Sequence, residues 1–159
     1  MKKHYADHCD IDVTEIADLP LFNENLVKTP PKPVIEIGEK IANSDGIIIG
    51  TPEYDHAVPA ALKSCLEWMS SAMHAFRDKP VMIVGGSYGL QGTVRAQINL
   101  RDILDSPGVQ AKVLPGHEFM LPHANQAFDK DGNLINKKTV QFIDECMKAY
   151  MEFVHALRV

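Results

Sequence analysis

Gly46-Ile47-Ile48-Ile49-Gly50-Thr51-Pro52-Glu53-Tyr54-Asp55-His56-Ala57-Val58-Pro59 joins a continuous apolar run to a polar loop bounded by prolines. A strand with one wet face alternates apolar and polar residues. An unbroken run such as Ile47-Ile48-Ile49 suits a strand covered on both faces, the condition of a parallel sheet between helical layers. Val81-Met82-Ile83-Val84 repeats the pattern, and each run opens into a loop and then a helix. The first of these helices carries Leu62, Leu66, Met69 and Met73, with an adjoining stripe of Ala61, Cys65, Trp68 and Ala72. In the second, Ala96, Leu100, Ile103 and Leu104 recur at helical spacing before the stop Ser106-Pro107-Gly108. Strands alternating with helices predict an α/β fold, a three-layer sandwich around a mostly parallel sheet.

Upstream, Val34, Ile37 and Ile41 predict a helix ending at Asn43-Ser44, after the loop Thr29-Pro30-Pro31-Lys32-Pro33. Ile11 and Val13 alternate with Asp12 and Thr14, so Ile11 to Ile16 is expected to form a half-buried strand at the sheet edge. Downstream, a short strand is expected around Ala111 to Leu114, and the Asp-Gly turn between Phe128 and Leu134 predicts a hairpin-like excursion. Val140, Ile143, Met147, Met151 and Val154, flanked by Phe142, Cys146 and Phe153, form the stripe of a long closing helix. The wide apolar arc of the helix over 60–73 has two explanations: a subunit contact, or a helix sunk in its own core.

A chain of 159 residues is expected to form a single domain over 1–159. Hydrophobic residues make up 45% and charged residues 23%, which excludes a chain disordered throughout. Lys plus Arg number 16 and Asp plus Glu 21, a net charge of −5 with no basic cluster, so neither nucleic acid nor an anionic membrane is expected as a partner. Cys9, Cys65 and Cys146 are odd in number and make no Cys-x-x-Cys pair, which fits the reducing cytoplasm. No apolar run approaches the roughly 20 residues of a membrane span, and Met1-Lys2-Lys3-His4-Tyr5 leads into no signal core.

Ligands of open parallel sheets bind outside the carboxyl ends of the strands, which directs attention to the loops Thr51 to Val58 and Gly85 to Thr93. Gly86, Gly89 and Gly92 are spaced G-x-x-G-x-x-G, which is not the dinucleotide fingerprint, and no lysine follows to make a phosphate-binding P-loop. Gly85-Gly86-Ser87-Tyr88-Gly89 does match the G-x-S-x-G of a hydrolase nucleophile, with His117, His123 and His155 downstream. Leu90-Gln91-Gly92 then delays the helix that such an elbow needs, so an esterase built on Ser87 ranks third among the functional readings. Asp129 and Asp131 fail the calcium-loop spacing at Gly132 and Val140, and His117, Glu118 and His123 make no complete ligand set, so no metal is expected.

Thr51-Pro52-Glu53-Tyr54-Asp55-His56, with Pro59, Leu62-Lys63 and Glu67-Trp68, resembles the T-P-E-Y-N-x-x-x-P-x-x-L-K-N-x-[IL]-D-W motif of the NADPH-dependent FMN reductase family. Gly86-x-Ser-x-Gly89-x-x-Gly92-x-x-Arg95-Ala96-Gln97 is similar to that family's second flavin loop, and the likeness extends to Leu114-Pro115, Leu121-Pro122 and Phe128-Asp129-x-Asp131-Gly132. The resemblance implies a flavodoxin-like fold and an NAD(P)H oxidoreductase that moves hydride from nicotinamide through FMN to a small-molecule acceptor such as a flavin, quinone or azo compound. It places Pro52, Glu53, Tyr54 and Asp55 along one edge of the flavin ring and Ser87, Tyr88 and Gly89 along another, with Gly92 in the same loop. Backbone amides are the expected donors, and no catalytic acid or base is required. A homodimer or homotetramer through the helix 60–73 is the expected assembly.

The resemblance also carries departures. Asp55 and Ser64 stand where asparagine is usual. The family's first strand and phosphate-wrapping loop have no counterpart, Met1 to His8 resembling the end of the helix that follows them, so the expected domain lacks the first strand and is N-terminally truncated relative to the family. In a 2-1-3-4-5 sheet that strand lies between those at Ile11 and Ile47. Unpaired buried backbone groups cost about 1–3 kcal/mol each, so either the Ile11 strand pairs with the Ile47 strand or another chain fills the slot. Loss of the phosphate contacts weakens FMN binding, and a flavin-free relic or interaction protein is the alternative function.

Overall fold

The run Val81 to Val84 lies in the middle strand of the sheet. A computed structural model describes residues 1–157 as α1 (Lys32–Asn43), β1 (Ile47–Thr51), α2 (Ala60–Trp68) continuing into a π-helical turn at Met69–Met73, β2 (Pro80–Gly86), α3 (Val94–Asp105), β3 (Lys112–Val113), β4 (Phe119–Leu121) and α4 (Lys137–Leu157). β1 runs parallel to β2 in the register Ile47↔Val81 to Thr51↔Gly85. The other edge of β2 is shared: β3 pairs with Pro80 and Val81, and β4 with Val84, Gly85 and Gly86, both in parallel. The chain leaves that edge after Leu114, whose amide donates to Val81 O at 2.8 Å, and returns at Phe119.

Alternate residues of the two buried strands feed opposite layers. Ile49, Val81 and Ile83 pack with α1, α2 and α3 through Val34, Ile37, Leu62, Leu66, Leu100 and Leu104. Met82, with Ile48 and Val84 beside it, packs with Tyr5, Leu114, Phe119, Leu121 and the Ile143, Cys146, Met147 and Tyr150 face of α4. The result is the expected three-layer α/β sandwich. Among the described residues no helix is long and apolar enough to cross a membrane.

One expectation is corrected. Residues Ile11 to Ile16 form no strand, and no backbone pair joins them to β1, so the proposed repair by direct pairing does not occur. Their apolar side chains part company: Ile11 packs into the α4 cluster, whereas Ile16, Leu19 and Phe22 pack into the cluster of α1 and α2. A segment that crosses between layers in this way cannot hold strand alternation against one face. Lys40 fastens it laterally through Asp12 at 2.9 Å and Thr14 Oγ1 at 3.4 Å.

The wide apolar arc of α2 is largely covered within this chain. Cys65 and Trp68 of the adjoining stripe are buried within this chain. Trp68 Nε1 donates to Pro20 O at 2.8 Å, its ring meets Phe22 edge-on at 5.0 Å, and Ser64 Oγ accepts the Phe22 amide at 2.7 Å. The crossing segment thus accounts for the arc's width, and Ser64 serves it as an acceptor. β4 had no sequence signal: three residues between Pro115 and Pro122 are too few for a period to show. The turn at Phe128 to Leu134 is present as expected, with Asp129 Oδ1 accepting the Asp131 and Asn133 amides at 2.9 and 2.8 Å.

At the opposite end from the loops, Tyr150 ties the starts of the central strands together. Its hydroxyl lies 3.0 Å from Ile47 O and 3.1 Å from Pro80 O, and burial pushes its pKa up. A Cβ on Gly46 would lie 2.2 Å from that hydroxyl oxygen. Gly46→Ala is therefore expected to destabilise the fold by about 1–3 kcal/mol through overpacking. Tyr150→Phe should cost about 1 kcal/mol through the lost hydrogen bond. The double variant should be more stable than the sum of the two predicts, as chemical denaturation of all four proteins would show, because removing the hydroxyl relieves the closest of the contacts and leaves Val154 Cγ2 at 3.0 Å and the ring carbon at 3.1 Å.

Candidate active site

The register Thr51↔Gly85 brings the two glycine- and proline-rich loops together at the carboxyl ends of β1 and β2, as the sheet topology requires of a ligand site. The approach is very close. A Cβ on Gly85 would lie 1.9 Å from Thr93 Oγ1 and 2.8 Å from Thr51 O, so only glycine lets the end of β2 pass between β1 and the start of α3.

The first loop is a small hairpin. Tyr54 and Ala57 exchange backbone hydrogen bonds at 3.1 and 2.9 Å, and the two residues between them, Asp55 and His56, have φ of 47° and 66°. Positive φ at both central positions defines a type I′ turn, which favours asparagine, aspartate and glycine. Asp55 thus meets a backbone requirement shared with asparagine. The turn lifts Tyr54 to 64% exposure.

Glu53 points the other way. Its side chain is only 12% exposed, and Oε2 accepts the amides of Arg95 and Ala96 at 2.9 and 3.1 Å. It thereby caps α3, whose own N-cap Thr93 makes no side-chain cap bond. Arg95 reaches back to Glu53 at 3.8 Å and donates to Gln91 Oε1 at 2.6 Å, and Val58 N donates to Asn99 Oδ1 at 3.4 Å. The sequence held a signal for this cap that pattern reading missed: the first turn of α3, Val94-Arg95-Ala96, carries no acidic residue of its own.

The second loop is held by β4. Ser87 N donates to Leu121 O at 3.0 Å, Ala124 N to Ser87 O at 2.9 Å and His123 N to Gly89 O at 3.3 Å. Gly92 is buried at φ 61°, with Met120 Cβ 2.9 Å from where its own Cβ would stand. Gln97, fully buried, donates to Thr93 Oγ1 and to Phe119 O, fixing α3 to β4, while its Oε1 has no partner among the described residues. Tyr88 and Leu90 stand at 77% and 78% exposure. The esterase arrangement does not form: Ser87 keeps a negative φ, its hydroxyl faces Gly89 O at 3.4 Å with no imidazole bonded to it, and α3 begins only at Val94.

The donor inventory fits a flat, acceptor-bearing ring. The amides of Tyr54 and Ser87 are consumed within the protein, whereas those of Glu53, Asp55, Tyr88 and Gly89 donate to no partner among the described residues. The position beyond Gly89 is open, its missing Cβ meeting only Ser87 Oγ at 3.8 Å. Because Asp55 occupies a left-handed position, Asp55→Asn should leave stability within a few tenths of a kcal/mol. Asp55→Val should cost roughly 1–2 kcal/mol, measured by denaturant titration.

The family described as NADPH-dependent FMN reductase matches residues 1–126. The NADH-dependent flavin reductase subunit 2 of Lactobacillus johnsonii is 45% identical over 159 aligned residues, covering 97% of this chain and 85% of that protein. The NADH:(hydroxy)cinnamate reductase subunit CrdA of Vibrio ruber is 43% identical over 157, covering 99% and 78%. Among solved structures, the flavoenzyme NAD(P)H:(acceptor) oxidoreductase FerB of Paracoccus denitrificans superposes with a TM-score of 0.78 at 28% identity, over 89% of this chain and 78% of that one. With the match spanning both loops and the flavodoxin-like sheet that carries them, the chain belongs to the NADPH-dependent FMN reductase family.

Proposed function

We propose that this protein is an NAD(P)H-dependent reductase that holds the ring of FMN across the loops 51–59 and 86–93 and reduces a small-molecule acceptor of the flavin or quinone class. The observation that carries this is the set of unpartnered amides at Glu53, Asp55, Tyr88 and Gly89 on adjacent loops at the carboxyl ends of β1 and β2. The chemistry supplied by bound FMN is hydride acceptance from NAD(P)H and electron delivery to the acceptor. The chain's contribution is orientation: amide donors suit the electron-rich carbonyl and nitrogen edge of a reduced ring, and Tyr54 and Tyr88 flank it with exposed aromatic surface.

The acceptor class is supported by the relatives, among them a quinone reductase of Escherichia coli at 32% identity over 91% of this chain. The same reading takes residues 1–159 as one domain acting in the cytoplasm as a homodimer or homotetramer. With Cys65 and Trp68 buried, the exposed surface left on the segment 60–73 for such a contact includes Ala60, Ala61 and Ser71.

The test is fluorescence titration of FMN and riboflavin into the purified chain, with reduced-nicotinamide oxidation followed in the presence of FMN and a quinone. Saturable flavin binding and flavin-dependent turnover are expected. Tyr54→Ala and Tyr88→Ala should each weaken flavin binding by about three- to tenfold, corresponding to roughly 0.5–1.5 kcal/mol of aromatic contact, and should leave the melting temperature unchanged because both rings are exposed. Absence of binding by both flavins would leave the flavin-free interaction protein as the function.

A further inference from the structure

We propose that Glu53 is a positioning residue whose carboxylate sets the spacing of the two loops by capping α3, so that the flavin site is shaped through the helix and not by contact of this side chain with flavin. The inference rests on the flavin site proposed above. Oε2 lies 2.9 Å from Arg95 N and 3.1 Å from Ala96 N, across 42 and 43 positions of sequence, so the two bonds join the loop after β1 to the helix that closes the loop after β2. No local residue does this work: the hydroxyl oxygen of Thr93, the N-cap, accepts from Gln97 Nε2, and the first turn has no acid.

The bond is also charge-matched. The amide end of α3 carries partial positive charge, Arg95 adds a full one 3.8 Å from Glu53 Oε1, and the carboxylate answers both from a largely shielded position. Gln91 holds the same guanidinium at 2.6 Å, so Glu53, Arg95 and Gln91 form one polar chain from the first loop to the second. The Tyr54–Ala57 hairpin follows Glu53 directly, so a shift of Glu53 moves its own amide and, through the hairpin, that of Asp55.

The test compares wild type, Glu53→Gln and Glu53→Ala, first without flavin and then with it. Amide hydrogen exchange of the unliganded chain should accelerate in both 51–59 and 86–96 in Glu53→Ala, should stay near wild type in Glu53→Gln, whose amide oxygen still accepts, and should return toward wild type when acetate is added to the alanine variant. FMN affinity, read by fluorescence quenching, should follow the same order. It should fall about tenfold in Glu53→Ala, the factor equivalent to roughly 1.4 kcal/mol of lost cap, recover in acetate and stay within about threefold in Glu53→Gln.

Faster exchange confined to 86–96 with unchanged FMN affinity would reduce Glu53 to a local cap and overturn the proposal. Equal loss in both variants with no acetate rescue would place the carboxylate's effect directly on flavin, which also overturns it. If wild type itself fails to bind FMN, the flavin reading falls, and the exchange data still decide whether Glu53 couples the loops.

Discussion

The architecture hangs on β2, whose buried backbone must find partners along both edges. β1 supplies one edge in continuous register. The other is completed by two short pieces, β3 and β4, separated by the excursion of Pro115 to Glu118. That division has a chemical consequence. The upper piece, β4, ends at Leu121, whose carbonyl takes the Ser87 amide and so anchors the start of the glycine-rich loop. The need to satisfy backbone groups at the centre of the sheet therefore reaches the site through β4.

Much of this was legible in the sequence, because the strongest signals were also the most buried. The uninterrupted runs Ile47–Ile49 and Val81–Val84 announced a doubly covered parallel sheet, and the stripes of α1, α3 and α4 announced its two covering layers. Where the reading failed, tertiary contacts had outweighed local pattern. Ile11 and Val13 alternate as a strand does, yet Ile11 is half-buried and Val13 is 64% exposed, on a segment that serves two layers and pairs with no strand among the described residues. The second stripe of α2 looked like surplus apolar area because the residues that cover it, Pro20 and Phe22, lie more than forty positions away. The loops themselves were correctly placed, but the sequence could not say which amides were already spent.

The site reflects a division of labour between side chains and backbone. Within these loops the carboxylate of Glu53 and the amides of Tyr54 and Ser87 are committed to holding the protein together. What remains exposed is a set of main-chain donors, two tyrosine rings and the side chains of Asp55 and His56. Donors mounted on a braced scaffold need little reorganisation when charge develops near them.

The segment from Tyr5 to Phe22 has a significance that reaches past its lack of regular structure. Tyr5, Cys9 and Ile11 belong to the layer of α4, Ile16, Leu19 and Phe22 to the layer of α1 and α2, and the sheet separates the two. Such a strap makes the hydrophobic layers mechanically interdependent. Neither can loosen without pulling on the tether it shares with the other, so the sandwich is expected to melt as one cooperative unit, with no half-open form in which one face of the sheet is bare while the other remains packed.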